Sequence, residues 1–241
     1  MENTNKNLIW FGIILGLSII ISFSLASFTF YKLRATDYIS TTGSATQEYT
    51  SDSVKWTSTI TRNVTLATVK NGYTQMASDL AAVKSFLSTN GIPDSAIDVT
   101  PILMNEIYDN SNNPVKNYSL TQNIIVNSSD VQSIADLSKN TNPLVVDQGI
   151  LFSTVDLEYY YSKLPDARVA LLSAAIADAK ARATKIAEAG GKEIGALQSA
   201  TNGVVQVLAP NSSDTSDYGT YDTSSIEKNI MVTVKTTFEL K

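Results

Sequence analysis

Histidine and cysteine are both missing from this sequence of 241 residues. Without an imidazole there is no general base of the commonest kind, and without a thiol there is no cysteine nucleophile and no Cys/His zinc site. The lack of cysteine also rules out disulfides, so it says little about the compartment. These two absences exclude most familiar hydrolase mechanisms. The sequence therefore predicts a protein that is not an enzyme and that has no cofactor.

Positive charge is also scarce. The 18 Lys and Arg residues are outnumbered by 23 Asp and Glu residues, and the formal net charge at pH 7 is −5. The sequence contains no Lys/Arg run that could follow a phosphate backbone, so a nucleic acid is not an expected partner. The hydrophobic share of 43% is ordinary for a folded protein with a sizeable core.

A long apolar stretch lies near the N-terminus. Residues 8–31 form a run of 24 residues without a charge, which is enough for a helix to cross the hydrocarbon core of a bilayer. We predict a transmembrane anchor there, with an N-terminal tail at 1–7 and a polar stalk at 32–43. The lipid bilayer is thus an expected partner, contacted by Leu8, Trp10, Phe11, Ile14, Ile20, Phe28 and Tyr31.

A cleavable signal peptide is the alternative for this stretch, because Ser24 and Ala26 form a small-x-small site. The anchor is favoured, since the apolar run continues past that site and exceeds the usual length of a signal-peptide core. Charge does not settle the orientation. Lys32 and Arg34 after the run, against Lys6 and the α-amino group before it, slightly favour a cytoplasmic C-terminal side.

The body, residues 44–241, alternates strand and helix patterns. It predicts an α/β (α+β) fold with a mixed, mainly antiparallel sheet and with two long helices and one short helix packed on it. Whether this makes one domain or two subdomains stays open. The predicted strands are 54–63, 96–108, 117–127, 150–161, 204–209 and 226–240, and Ser129 is the predicted cap of the short helix.

Each long helix has a predicted apolar ridge. The first ridge is Leu66, Val69, Tyr73, Met76, Leu80, Val83 and Leu87, before a stop at Asn90-Gly91. The second helix begins at Pro165-Asp166 and ends at Gly190-Gly191, with the ridge Val169, Leu172, Ile176, Ala179, Ala183 and Ile186. So many alanines on and beside this ridge predict a close approach of the helix backbone to whatever it covers.

Three patterns raise the question of a chemical site. Asp156 and Glu158 are two residues apart on a predicted strand, so they face one way and could share a proton or a cation, but a solvated strand face is the favoured reading. The tip at 109–116 opens like a calcium loop, yet proline replaces the required glycine at 114 and no glutamate closes the loop. Gly190-Gly191-Lys192 follows a helix C-terminus, where the dipole repels phosphate. No metal site is expected.

Two groups of tyrosines are candidate contacts between subunits: Tyr159, Tyr160 and Tyr161 at the end of a strand, and Tyr218 with Tyr221 in a loop rich in Ser and Asp. Tyrosine is favoured at interfaces because it combines an apolar ring with a polar tip. Packing within a single subunit is the alternative.

Several segments resemble the SIMPL domain family. They are the helix-to-strand stretch ADAKARATKIAEAGGKEIGAL at 177–197, the opening GSATQEYTSDSVKW, the helix end SFLSTNGI and the hairpin end NYSLTQNIIVNSSDV, and the similarity spans residues 40–240. The resemblance implies a bacterial periplasmic protein, secreted or anchored in the inner membrane. It also implies a homo-oligomer linked to oxidative-stress resistance, and it supplies no catalytic motif.

The leading hypothesis is therefore a homo-oligomeric scaffold of the bacterial envelope, anchored in the inner membrane with its body in the periplasm. The alternative is a periplasmic binding module for a small molecule or a glycan, with the 211–225 loop and the 109–116 tip as its walls. An enzyme that uses Asp156 and Glu158 is the third class, and no substrate suggests itself for it.

Overall fold

The computed structural model describes residues 2–34, 37–108 and 116–241, with side chains from residue 9 to residue 30 in the N-terminal helix. The four α-helices within these ranges are α1 (Glu2–Arg34), α2 (Val69–Thr89), α3 (Val131–Lys139) and α4 (Leu164–Ala189). The strands are β1 (Tyr38–Thr50), β2 (Ser53–Thr65), β3 (Ile97–Val99), β4 (Leu103–Ile107), β5 (Asn117–Ser128), β6 (Leu151–Tyr160), β7 (Ile194–Leu208) and β8 (Glu227–Leu240). A 3₁₀ turn at Asp94–Ala96 and a π-helical turn at Pro143–Asp147 complete the described elements.

The strands form two sheets, and the predicted mixed α+β class is confirmed. One sheet has the order β3-β5-β2-β6, with β4 also paired to β5, and its ladders are antiparallel. The other has the order β1-β8-β7.

The chain divides into two compact units. The anchor unit comprises Met1–Ala45, Leu172–Gly203 and Thr233–Lys241, and the sheet unit comprises Thr46–Leu171 and Val204–Val232. Strands β1, β7 and β8 and helix α4 each contribute residues to both units. The units are therefore not successive halves of the sequence.

In the sheet unit, α2 and α3 cover the inner face of the five-stranded sheet. Trp56 is completely buried there; its Nε1 donates a hydrogen bond to the Thr154 hydroxyl at 3.1 Å, and its ring meets Phe152 edge-on. An aromatic pair of this kind adds about 1 kcal/mol beyond the area it buries. Helix α2 comes so close that a Cβ on Gly72 would lie 2.4 Å from the Val64 side chain.

The ridge predicted for α2 is partly wrong. Met76, Val83 and Leu87 are buried, but Leu66 lies before the helix and is exposed, as is Tyr73. Between the core residues of the helix lies the carboxylate of Asp79, which accepts two hydrogen bonds from Arg62 on β2, at 2.7 and 2.8 Å. Hydrophobic spacing gave no sign of this buried ion pair, because the pattern scores aspartate as a surface residue.

The ridge predicted for α4 is also partly wrong: Ala179 and Ala183 are buried as predicted, but the large residues at its two ends are not. Val169 and Ile186 are 67% and 56% exposed, and the buried residues are four apart: Ala167, Leu171, Ala175, Ala179, Ala183 and Ala187. In the anchor unit, the alanine face lies directly on β1. The Thr41 hydroxyl donates to the Ala179 carbonyl at 3.0 Å, and the Ser44 amide donates to the Asp178 carboxylate at 2.9 Å. The predicted close approach of this helix is confirmed.

Several boundaries also differ from the predictions. Strand β1 lies partly in the predicted stalk, and its Thr/Ser/Gly-rich sequence carries no clear apolar alternation. The 96–108 strand is broken at Pro101 into β3 and β4, because proline cannot donate a ladder hydrogen bond. Asp130, not Ser129, caps α3 by accepting from the Ser133 amide. The stops at Gly91 and Gly191 are confirmed, and both glycines have a positive φ.

Candidate functional site

A β-bulge decides where the three consecutive tyrosines point. The register of β6 against β2 shifts between Thr57 and Ser58, so that Val155 has no partner of its own. The extra residue lets both Phe152 and Tyr159 point inward although they are seven positions apart, and Val155 is exposed. Tyr159 therefore belongs to the core, 7% exposed, and in this structure it is not available to a second subunit.

The other tyrosines form a surface cluster, together with a partner that the sequence did not suggest. Tyr160 packs against Tyr221 with ring centres 6.0 Å apart, and Tyr161 packs against Tyr49 at 4.9 Å. The Tyr161 amide donates to the Tyr221 hydroxyl at 2.9 Å. We call Tyr49, Tyr160, Tyr161 and Tyr221 the tyrosine cluster. Tyr218 lies outside the cluster and is 97% exposed.

Tyr160 is held by a carboxylate. Its hydroxyl donates to Glu158 at 2.7 Å, and Glu158 also accepts from Lys55 at 2.7 Å. The bond to Glu158, together with burial, raises the pKa of Tyr160 to about 12. The bonds from Lys55 and Tyr160 lower the pKa of Glu158. Because Glu158 accepts from Lys55 and Tyr160, and Asp156 accepts from the Leu157 amide at 2.8 Å, the two carboxylates do not share a hydrogen bond in this structure.

A buried lysine lies beneath the cluster. Lys228 is fully buried, and its Nζ donates to the carbonyl oxygens of Asp222 at 2.6 Å and Ser225 at 2.9 Å. The ammonium lies 3.6 Å from the Asp222 carboxylate and 5.6 Å from the centre of the Tyr221 ring. Burial lowers the pKa of Lys228 against the opposing effect of Asp222. The period-two alternation of β8 places Ile230 on the buried side. Continued two residues towards the N-terminus, the same alternation places Lys228 on the buried side as well.

Asp222 completes the attachment of the 211–225 loop. Its carboxylate accepts hydrogen bonds from the amides and hydroxyls of Ser224 and Ser225. Although burial raises the pKa of Asp222, these bonds outweigh it and lower the pKa to about 2. The Tyr159 amide donates to the Thr223 carbonyl at 2.8 Å, which ties the loop to the end of β6. This end of the loop is a fixed part of the sheet unit.

Asp222 makes the stability of the fold depend on acid. Its folded pKa of about 2 lies below the ordinary 3.8, so ionised Asp222 stabilises the fold fully above pH 4, and this contribution is lost progressively as the pH falls through about 2. The contribution is about 2 kcal/mol at neutral pH. We expect Asp222→Asn to lose this amount at pH 7 and less than about 0.5 kcal/mol at pH 2, in urea unfolding followed by circular dichroism.

The matched control is Asp217→Asn, which removes one charge from an exposed position of the same loop and should change the unfolding free energy by less than about 0.5 kcal/mol. A loss in Asp222→Asn that stayed constant from pH 2 to pH 7 would contradict the assigned role of its charge.

A polar sheet face extends from the tyrosine cluster. Register places outward-facing side chains of β2 and β5 next to one another, and all of them are partly or fully exposed. We call this set the polar face: Lys55, Thr57, Thr59, Thr61, Ser119, Thr121, Asn123, Ile125 and Asn127. The sequence predicted the β2 half of this face from the period-two pattern. It did not show that the same polar alternation of β5 lies beside it.

Strand β7 has an unprotected edge along residues 196–204. Near its C-terminal end the edge is covered, because Val207 donates to the Thr220 carbonyl and accepts from the Asp222 amide, both at 2.8 Å. The strand is the end strand of the β1-β8-β7 sheet, and it has 15 residues with no charged residue and no proline. The nine residues 196–204 are all exposed. The edge strands of the five-stranded sheet are protected: β6 has a bulge and two carboxylates, and β3 and β4 have only three and five residues.

The N-terminal helix fits the predicted anchor. Ile9–Phe30 is 22 residues long and is apolar enough to cross a membrane. The described side chains among the predicted lipid contacts are all exposed, namely Trp10, Phe11, Ile14, Ile20 and Phe28. The side chains of Leu8 and Tyr31 lie outside the described residues, although the helix backbone includes both.

Two further predictions concern metal and phosphate. Among residues 37–108 and 116–241, no group of three or more acidic side chains is arranged to hold a metal ion. The 109–115 part of the predicted calcium-like tip lies outside the described residues. Gly190-Gly191-Lys192 ends α4, where the Lys192 amide donates to the Ala187 carbonyl at 2.9 Å. The helix-stop interpretation is thus confirmed.

The family model described as "SIMPL: Protein of unknown function (DUF541)" matches residues 39–238. The matched region begins in β1 and ends in β8, and it leaves out helix α1. No curated protein matches the chain.

Proposed function

The chain belongs to the SIMPL family, and from this premise we propose that it is a homo-oligomeric scaffold of the bacterial envelope that performs no catalysis. A SIMPL domain behind one apolar N-terminal helix is consistent with a single-pass, membrane-anchored extracytoplasmic protein. In the proposal, residues 8–31 hold the protein in the inner membrane, the body lies in the periplasm, and copies associate through their bodies.

The exposed edge of β7 is the observation that carries this proposal. An unpaired edge strand offers a row of backbone N–H and C=O groups to another strand, and soluble proteins normally protect such edges with lysine, proline or bulges. Over its 15 residues, β7 has neither charge nor proline. A second copy that pairs with it would satisfy these backbone groups, and a symmetric arrangement would close the assembly.

The anchor supports the same proposal. Gly12 and Gly16 are four residues apart, and a Cβ at either position would meet nothing within 4 Å. Small residues with this spacing allow two transmembrane helices to approach closely and to pack through their backbones. The tyrosine cluster and Tyr218 offer further aromatic surface for contact between copies.

The lack of histidine and cysteine supports a non-catalytic role. We further propose, on the family resemblance alone, that this scaffold contributes to oxidative-stress resistance. The test of this part is the growth of a deletion strain in peroxide, compared with strains that carry the wild-type chain or the β7 variant described next. If deletion leaves peroxide sensitivity unchanged, this part of the proposal is wrong.

Charging the β7 edge should break the assembly. We expect the full-length protein in detergent to have a discrete mass that is a multiple of its 26.0 kDa chain, measured by light scattering with the detergent subtracted. The double variant Ser199→Lys and Thr201→Lys should reduce that mass at least twofold, because paired strands would bring like charges together.

Ser173→Lys with Ala177→Lys is the control, because it adds the same charge at exposed positions of α4 and should leave the mass unchanged. A monomeric wild-type protein at micromolar concentration would overturn the scaffold. An assembly that kept its full mass in the β7 variant would exclude this strand as the contact.

A further inference from the structure

The polar face presents side-chain hydroxyl and amide groups that are not needed for the core or for self-association through β7. Along β2, Thr57, Thr59 and Thr61 follow one another at spacings of about 7 Å, as alternate residues of a strand do. Opposite them in the register are Ile125, Asn123 and Thr121. The centre of the face is therefore a flat array of hydroxyl and amide groups with one apolar side chain.

Acidic groups border the Thr57 end of this array, whereas the exposed side chains of Leu151 on β6 and Leu103 on β4 border its Thr61 end. Asp156 on β6 is in register with Thr57, and Asp98 on β3 is in register with Ile125. The lysine of the face, Lys55, is already bound to Glu158 at 2.7 Å. The surplus of carboxylates repels an anionic polymer, whereas carboxylate and amide oxygens readily accept hydrogen bonds from uncharged hydroxyl groups.

Aromatic rings lie at one end of the array. Tyr160 follows Glu158 on the same side of β6, and its ring packs against Tyr221. The hydroxyl of Tyr160 is bonded to Glu158, and that of Tyr221 accepts the Tyr161 amide. These bonds fix the rings in place, and because Tyr160 is partly exposed and Tyr221 is 38% exposed, part of each ring's surface remains open to contact. A pyranose ring offers the matching combination of an apolar face of C–H groups and a rim of hydroxyls.

We propose that the polar face, together with Tyr160 and Tyr221, binds a neutral polysaccharide strand, with one sugar on the tyrosine pair and the following sugars along Thr57, Thr59 and Thr61. A second copy of the chain would fit this surface less well, because like carboxylates of two facing copies would oppose one another. The site would let an anchored scaffold hold a glycan, and it does not depend on association through β7.

Titration calorimetry with cellohexaose and chitohexaose tests the proposal on full-length protein in detergent. We expect at least one hexaose to bind, and the corresponding disaccharide to bind at least tenfold more weakly, because a longer chain spans more of the array. Tyr160→Ala should weaken hexaose binding at least tenfold, and Thr57→Val should weaken it about threefold. Circular dichroism checks that both variants remain folded, and Tyr160→Phe, which keeps the ring, should retain most of the affinity.

The controls are Tyr218→Ala, an exposed tyrosine outside the site, and Thr74→Val on the exposed side of α2; both should bind as the wild type does. Failure of both hexaoses to bind overturns the proposal. The proposal is also overturned if Tyr218→Ala weakens hexaose binding as much as Tyr160→Ala does, because the site would then lie in the 211–225 loop. Tighter binding of polylysine that collapses in salt would identify a cationic partner instead. If no glycan binds and Thr57→Val changes the assembly mass, the polar face is a contact between subunits. The β7 variant tests the scaffold proposal separately, because it leaves the polar face unchanged.

Discussion

Replacement of Gly43 by alanine is expected to lower the free energy of unfolding by about 3 kcal/mol, the upper end of the usual range for an overpacked core. A Cβ at this position would lie 2.2 Å from the Ala175 carbonyl oxygen and 2.3 Å from the Ala179 nitrogen. Both are backbone atoms of α4, so no side-chain rotation can relieve the contact. Urea unfolding of the full-length protein in detergent, followed by circular dichroism, measures the loss.

Gly190→Ala is the matched control at the end of the same helix. The nearest atom to a Cβ there is 3.4 Å away, which is ordinary contact, and the φ of Gly190 is not positive. Because alanine restricts the unfolded chain more than glycine does, this variant should be neutral or slightly stabilising. Equal unfolding free energies for Gly43→Ala and the wild type would mean that α4 does not lie on β1 at this distance.

The second large effect is expected at Asp79. Removing this carboxylate leaves the Arg62 guanidinium without its two hydrogen bonds in a mostly covered position, and breaking such a pair costs about 3 kcal/mol. The side chains of Asp79 and Arg62 are 8% and 26% exposed, so water reaches the arginine only in part. We expect Asp79→Ala to lose this amount in urea unfolding.

Two further variants complete the test. Asp94→Ala removes the partner of Lys84 in an exposed ion pair and should cost less than about 1 kcal/mol. The double variant Arg62→Met with Asp79→Leu removes both charges and should recover most of the stability, because the apolar pair needs no desolvation of ions. If Asp79→Ala cost no more than Asp94→Ala, the ion pair would not stabilise the fold.

Helix α4 shows how far the sequence predicts packing. The proline at its start and the glycines at its end placed the helix correctly, because capping is a local property. The choice of its buried face was right at Ala179 and Ala183 but wrong at Val169 and Ile186, because large apolar residues were taken to be inside. The strand that the helix covers presents Gly43 at the contact, and only alanine fits between two backbones so close together.

In the candidate site, too, the sequence predicted the features that depend on neighbouring residues and missed those that depend on distant ones. Period-two alternation correctly separated Thr57 and Thr59 from the buried side of β2, and it would have placed Lys228 inside β8. It also placed Tyr159 correctly, on the side of β6 opposite Asp156 and Glu158. It failed at Val155, which it placed on that same buried side, because the bulge leaves Val155 unpaired and exposed, and nothing in the sequence marks that bulge. The contact of Tyr160 with Tyr221 joins residues far apart in the chain, so no local pattern contains it.

The sequence by itself determined the features that depend on neighbouring residues: an apolar helix long enough to span a bilayer, the α+β class, the helix ends, and the absence of imidazole and thiol chemistry. Only the tertiary structure decided which faces are buried, that Asp79 pairs with Arg62, that β7 is left as an unprotected edge, and that polar residues of β2 and β5 meet on one face. These depend on strand register and on how closely two backbones approach, and both are set by contacts between distant parts of the chain.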